Sequence, residues 1–196
     1  MAGNVGPVAD ERDGLLQFVA QQRLVIRTAA YGLTDEQARA TPTSSTLSVG
    51  GLIKHVSEVE DGWIDIVLQK PIKPAADSQD DYANGFRLLE DETLEGVLSR
   101  YEEVARRTEE VIAGIEDLGQ AVPVPKGIPW FPPDIEAWSV RWVLLHLIQE
   151  TARHAGHADL VREHIDGATA MPLLAAAENW PETPWMKPWS PADATS

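Results

Sequence analysis

The amino-acid sequence predicts an all-α protein, a four-helix bundle followed by a C-terminal tail rich in Pro and Trp. Three observations lead there. Four long segments carry apolar residues at helical spacing, and several open on a capping Ser or stop at Gly or Pro. Period-two alternation, the mark of a half-buried strand, is nearly absent. The connections are long and rich in turn residues, as bundle topologies allow.

Residues 1–9 read as a flexible N-terminal tail and 10–167 as the bundle. Residues 168–196 read as a tail lying on the bundle or across a dimer interface. The first long helix is predicted from Asp10 to about Tyr31, with Leu15, Leu16, Val19, Val25 and Ile26 inward and Gly32 ending it. LTDEQARATPTSSTLS reads as turns, with a short helical turn near Asp35–Ala40. Ser48 caps a second long helix that runs to about Gln69, and Pro71 and Pro74 stop it. The stretch through Asp77, Asp80 and Asp81 lacks the Gly and closing Glu of an EF-hand, so it reads as solvated loop. A third helix spans about Thr93 to Glu116, with Leu94, Val97, Tyr101, Val104 and Ile112 on its core face. Residues 119–137 hold too many prolines for a helix. Trp130 and Phe131 there either line a pocket mouth or cover the end of the bundle. Trp180, Trp185 and Trp189 argue that the C-terminal tail is anchored rather than free.

Composition bounds the function. The chain has 196 residues, 31 acidic against 16 basic, for a net charge of −15. That excludes nucleic acid and anionic membrane surfaces as partners, since both require a basic face. No apolar run is long enough to cross a bilayer, and MAGNVGPVADERDG lacks the pattern of a signal peptide. A cytoplasmic protein is the expectation. There is no Cys, so the chain itself offers no disulfide, thiolate ligand or Cys nucleophile.

The chemistry concentrates in WSVRWVLLHLIQETARHAGHADLVREHIDG, the fourth long helix, with Ser139 as N-cap and Gly167 as stop. Four of the five histidines lie in it. At about 100° per residue, His146, Glu150, His154, His157 and His164 share one quarter of the wheel. Apolar residues flank that quarter, while Thr151, Asp159, Arg162 and Glu163 take the opposite face, so the row is expected to point into the core. Buried ionisable groups are costly unless paired or bound to an ion. Glu150 and His154 are spaced i,i+4, and His154 and His157 i,i+3, which places ligands on adjacent turns. Zinc accepts imidazole and carboxylate together. His55 sits mid-stripe on the second helix and is the natural third ligand for Glu150 and His154. The competing reading is a hydrogen-bonded core network with no ion. A ferritin-like di-metal centre fails, because its Glu-x-x-His motif is missing.

LSVGGLIKHVSEVEDGWI, the His-rich block and the tail ENWPETPW together resemble the DinB/YfiT-like superfamily. The resemblance is to its branch of mycothiol-dependent S-transferases and the maleylpyruvate isomerase metal domain, and it covers nearly the whole chain. It implies a four-helix bundle, often a homodimer, that binds one divalent metal through His55, Glu150 and His154. Glu-x-x-x-His in the last helix is the mycothiol-branch form of the motif. The implied ion is zinc, with nickel as the alternative. The isomerase carries a second domain after the bundle, which this sequence lacks, so isomerisation is not expected. The implied activity is transfer of a low-molecular-weight thiol, mycothiol-like, onto an electrophilic small molecule. His157 and His146 are the candidate catalytic groups. Trp63, with Trp130 and Trp142, would shape the pocket, and Arg141 and Arg153 would contact an anionic cosubstrate. A metal-dependent hydrolase and a non-catalytic, metal-binding stress protein are the other two readings.

Overall fold

The computed structural model describes residues 3–71, 79–128 and 131–191. In chain order the helices are α1 (Glu11–Ala29), α2 (Asp35–Arg39), α3 (Val49–Val67), α4 (Gln79–Asn84) and α5 (Leu94–Ala113). The strands β1 (Ala121–Pro123) and β2 (Ala137–Ser139) follow, then α6 (Val140–Asp166) and α7 (Ala170–Ala177). The long helices α1, α3, α5 and α6 form the predicted bundle. α1 lies along α6, α3 along α5, and α3 also packs on α6.

The helix starts are local and chemical. Asp10, Ser48, Thr93 and Ser139 each accept a backbone N–H three residues on, satisfying one of the orphan donors of a helix N-terminus. Thr34 and Gln37 form a reciprocal capping box that starts α2. Gly167, at φ 75°, closes α6 in the left-handed conformation that glycine adopts without penalty. Two apolar clusters fill the bundle. One centres on Ile26, Leu52, Ile53, Tyr101 and Ala158, the other on Val19, Ile64, Ile112, Leu144 and Leu147.

Two arginines lie inside this core. Arg23 of α1 pairs with Glu60 of α3 at 2.5 and 3.1 Å, and with Glu109 of α5 at 3.0 Å. Thr108 donates to Glu60 at 2.6 Å. One guanidinium thus ties three helices together. Arg162 is wholly buried. It donates to both carboxylate oxygens of Asp166 at 2.9 Å and to the carbonyls of Ala29 and Tyr31 at 2.8 and 2.7 Å. The face of α6 expected to meet water is therefore partly internal. A guanidinium can be buried there because α1 ends beside it and offers carbonyls no helical N–H has used.

Three segments differ from the sequence reading. Gln79–Asn84, read as loop, is a short helix. It carries Tyr82 four residues before Phe86, and their rings lie 5.5 Å apart. A short antiparallel hairpin pairs Ala121–Pro123 with Ala137–Ser139. It leads into α6 through the bonds Val140 N–H to Gln120 O and Arg141 N–H to Leu118 O. The region after Gly167 is not only tail, since α7 forms there and packs on α1. Pro172 falls in its first turn, where the missing N–H costs no helical bond. Beyond it Trp189 lies over Arg162, 4.9 Å from the guanidinium carbon, and against Gly32, where a Cβ would sit 2.7 Å from the indole. Pro74, Asp77 and Trp130 fall outside the described residues.

Gly50 and Gly51 give α3 a bare patch on which residues 86–88 rest. A Cβ on Gly51 would lie 1.9 Å from the Phe86 carbonyl oxygen. Gly62, on the same helix, faces open space. Gly51→Ala is expected to lower stability by about 1–3 kcal/mol through overpacking. Gly62→Ala is expected to raise it by about 0.5–1 kcal/mol through helix propensity. Urea unfolding of the two variants checks both signs. Arg162→Met strips Asp166 of its buried guanidinium and is expected to cost about 3–5 kcal/mol in the same measurement.

Candidate metal centre

α3 and α6 bring three side chains together: His55 from α3, Glu150 and His154 from α6. Their candidate ligand atoms all lie within 4.8 Å of one another. One oxygen, Glu150 Oε1, is 3.2 Å from His154 Nε2 and 3.5 Å from His55 Nε2. A tetrahedral ion with bonds of about 2.0–2.1 Å holds neighbouring ligand atoms about 3.3–3.4 Å apart. The two measured edges bracket that length, so the donor set fits a divalent ion. Two neutral imidazoles and one carboxylate would leave such an ion a net positive charge and an open position.

The His and Glu row does not lie deep in the core, as the wheel suggested. The side chains of His55, Glu150 and His154 are 15%, 21% and 12% exposed, sheltered but reachable from solvent. Phe86 stacks on His55 with ring centroids 3.9 Å apart. It arrives from the segment that rests on Gly50 and Gly51, five and four residues before His55. Sequence reasoning missed Phe86, because no local pattern in its loop marks it. Hydrogen bonds from His154, then His55, hold the Glu150 carboxyl well below the usual carboxylate range. Nδ1 of His154 is buried and meets no partner among the described residues. Its ring is oriented by Glu150 and by packing against His55.

His157 and His146 flank the triad without joining it. The His157 ring lies 5.6 Å from that of His154, and its Nδ1 is likewise buried and unpartnered among the described residues. His146 stacks on Trp142 at 5.1 Å and meets Trp63 edge-on at 5.0 Å. Burial pushes its imidazole below the ordinary range, and Glu150 only partly offsets this. Trp63 is buried and its ring meets those of Phe131, Trp138 and Trp142. Trp138, Trp142, His146, Glu150 and His154 follow one another at i,i+4, a ladder visible in the sequence once the helix is known. His164 is exposed at the far end.

The arginines are a different matter. Arg141 pairs with Glu11 of α1 at 2.6 and 2.9 Å. Nine residues before Glu150, it lies about half a turn of the wheel away, on the side facing α1. It does not face the triad. Arg153 is exposed and enters no ion pair among the described residues. Clefts of about 670 and 690 Å³ lie elsewhere, one along Lys54, Asp61 and Arg100, the other around Tyr31 and Leu94. Neither includes a triad residue.

A family model described as mycothiol-S-transferase matches residues 14–167, a span that contains the whole triad. No curated protein sequence matches the chain. Among solved structures, a conserved protein from Enterococcus faecalis aligns with a TM-score of 0.59 at 13% identity. The alignment covers 82% of this chain and 98% of that one. At that identity the likeness shows the shared fold alone. No helix among the described residues is long and apolar enough to cross a membrane.

The triad makes a quantitative expectation. Titration with zinc, followed by mass spectrometry under native conditions, should give about one ion per chain, lost in His55→Ala and His154→Ala but kept in His157→Ala. Ligands hold an ion in their deprotonated forms, so acidification should release it.

Proposed function

The chain belongs to the mycothiol S-transferase family, matched over residues 14–167, and on that premise we propose that it is a divalent-metal-dependent S-transferase. The observation that carries the proposal is the shared Glu150 oxygen facing His55 and His154 at tetrahedral-edge distances. Zinc is the proposed ion, with nickel compatible with the same nitrogen and oxygen donors. A divalent ion held there would act as a Lewis acid and lower the pKa of a thiol at its open position. The absence of cysteine suits the role, since no protein thiol competes with the cosubstrate.

In the proposed reaction the thiol gives up its proton and its sulfur forms a bond to an electrophilic carbon. Either a leaving group departs from that carbon or, in an addition, the proton is returned to the adduct. We assign the uptake of that proton to His157, one turn from His154, whose ring lies 5.6 Å from the His154 ring. His146 is kept neutral by burial and stacked on Trp142, so it presents a flat, uncharged ring toward an apolar electrophile. Arg141 is committed to Glu11 and is dropped from the cosubstrate contacts. Arg153 stays a surface candidate. A cytoplasmic location and a homodimeric state belong to the same proposal.

The test is conjugation of mycothiol to a fluorogenic alkylating agent by the zinc-loaded protein. His55→Ala and His154→Ala should lower kcat/KM by about a hundredfold or more, beyond what loss of an outer partner costs. His157→Gln should keep the metal and lower kcat by about a hundredfold. Zinc-loaded protein that hydrolyses esters but forms no thioether would overturn the transferase reading.

A further inference from the structure

The three side chains of the triad are not aligned by the same means. Glu150 and His154 stand one turn apart on α6 and meet at 3.2 Å. His55 comes from α3 and reaches Glu150 Oε1 only at 3.5 Å. Its imidazole is set mainly by other rings. The His154 ring stands against it with centroids 4.8 Å apart and planes 74° apart. Phe86 lies over its face at 3.9 Å, with planes only 21° apart, and also borders His154 at 6.2 Å. The outer torsion of a histidine side chain has broad, shallow wells. A flat ring over one face and a second ring set across it therefore decide where Nε2 points.

Phe86 is itself held through its backbone. The N–H groups of Phe86 and Arg87 donate to the carbonyls of Ala83 and Asn84 at 3.1 and 3.2 Å, closing the turn that carries the ring. The Phe86 carbonyl occupies the hollow that Gly51 leaves in α3. Leu88, two residues on, is buried over Gly50, where a Cβ would lie 3.0 Å from its side chain. Lys54, the neighbour of His55, donates to the Arg87 carbonyl at 3.4 Å and to Glu92 at 2.9 Å. Glu92 accepts the Leu89 N–H at 2.8 Å. The segment from Ala83 to Glu92 is thus fastened to the turn of α3 that leads into His55. Adjacent glycines weaken a helix, and here they admit this close approach.

We infer that Phe86 is a positioning residue for His55, and that the segment docked on Gly50 and Gly51 is a clamp that turns the imidazole toward Glu150 before an ion arrives. The inference rests on the metal-centre reading and adds how the ligand from α3 is prepared for binding. A ring already oriented loses little freedom when an ion binds it, so the clamp contributes to affinity through preorganisation. Elsewhere a hydrogen-bonded partner often orients a ligating histidine. Here a stacked aromatic ring does so, and a backbone contact far from the ion fixes that ring.

Two measurements on the full chain test this. In NMR spectra of the metal-free protein, the imidazole C–H signals of His55 should lie upfield under the ring current of Phe86, and should lose that displacement in Phe86→Leu. Zinc affinity, read by competition with a chromophoric chelator, should fall about tenfold in Phe86→Leu, the lower end of what loss of an orienting partner costs, and be restored in Phe86→Tyr. Gly51→Ala should lower it in the same direction, because the added Cβ displaces the Phe86 carbonyl. Gly62→Ala, on the same helix but facing open space, should leave it unchanged. A Phe86→Leu protein that is less stable to urea yet binds zinc as the wild type does would reduce Phe86 to packing and overturn the inference. So would undisplaced His55 signals in the metal-free wild type, whatever the variants do. Wild-type protein that takes up no zinc would remove the metal centre itself, whereas normal uptake with unchanged affinity in Phe86→Leu would remove the clamp alone.

Discussion

The metal centre depends on α3 and α6 lying close enough for one carboxylate oxygen to face two imidazoles from different helices. Nothing local to either helix can bring that about. The approach is set by the apolar packing around it, with Leu52 and Val56 on one side and Ala155 and Ala158 on the other. Small side chains on α6 let the helices come together, and the Arg23–Glu60 pair fixes α3 against α1 and, through Glu109, against α5. A carboxylate shared in this way is held ionised by the same hydrogen bonds that align the histidines. Position and charge state of the ligand set are thus consequences of a single packing arrangement.

Charge is distributed unusually for so acidic a chain. Arg23 and Arg162 are buried, and Arg107, Arg100 and Arg141 all engage carboxylates of neighbouring helices. Much of the positive charge is therefore spent on internal and inter-helix pairing, while the excess of acid remains outside. An anionic cosubstrate would meet an unfavourable field around the molecule. A neutral polar one would not.

The features legible in the sequence were those set by short-range rules. Ser48, Ser139 and Gly167 marked helix ends because capping involves residues only a few positions apart. Glu150 and His154 could be paired because i,i+4 neighbours meet on any helix, and His55 could be assigned because it interrupts an apolar stripe. The rest required three-dimensional context. Phe86 reaches His55 only because Gly50 and Gly51 leave room for its backbone. Arg162 looks like a surface residue on the wheel, and its burial depends on carbonyls contributed by the end of α1, more than a hundred residues earlier. Arg141 was expected to contact the cosubstrate, but nine residues of helix carry it to the side opposite Glu150, where it meets Glu11. α7 was hidden by a proline that an interior turn would reject and a first turn accepts.

The position of Trp189 has a consequence for how the chain is made. Its indole covers Arg162 and fills the space above Gly32, so a contact at the end of α1 waits for a residue near the end of the described chain. On the ribosome α1, α3 and α5 can form and begin to pair while that residue is still unsynthesised. Until it emerges, the guanidinium at the base of α6 has no aromatic cover and the α1–α6 seam stays open at that end. Closure of the bundle is then a late event of high contact order, and a nascent chain stalled before it would present an unfinished seam to chaperones.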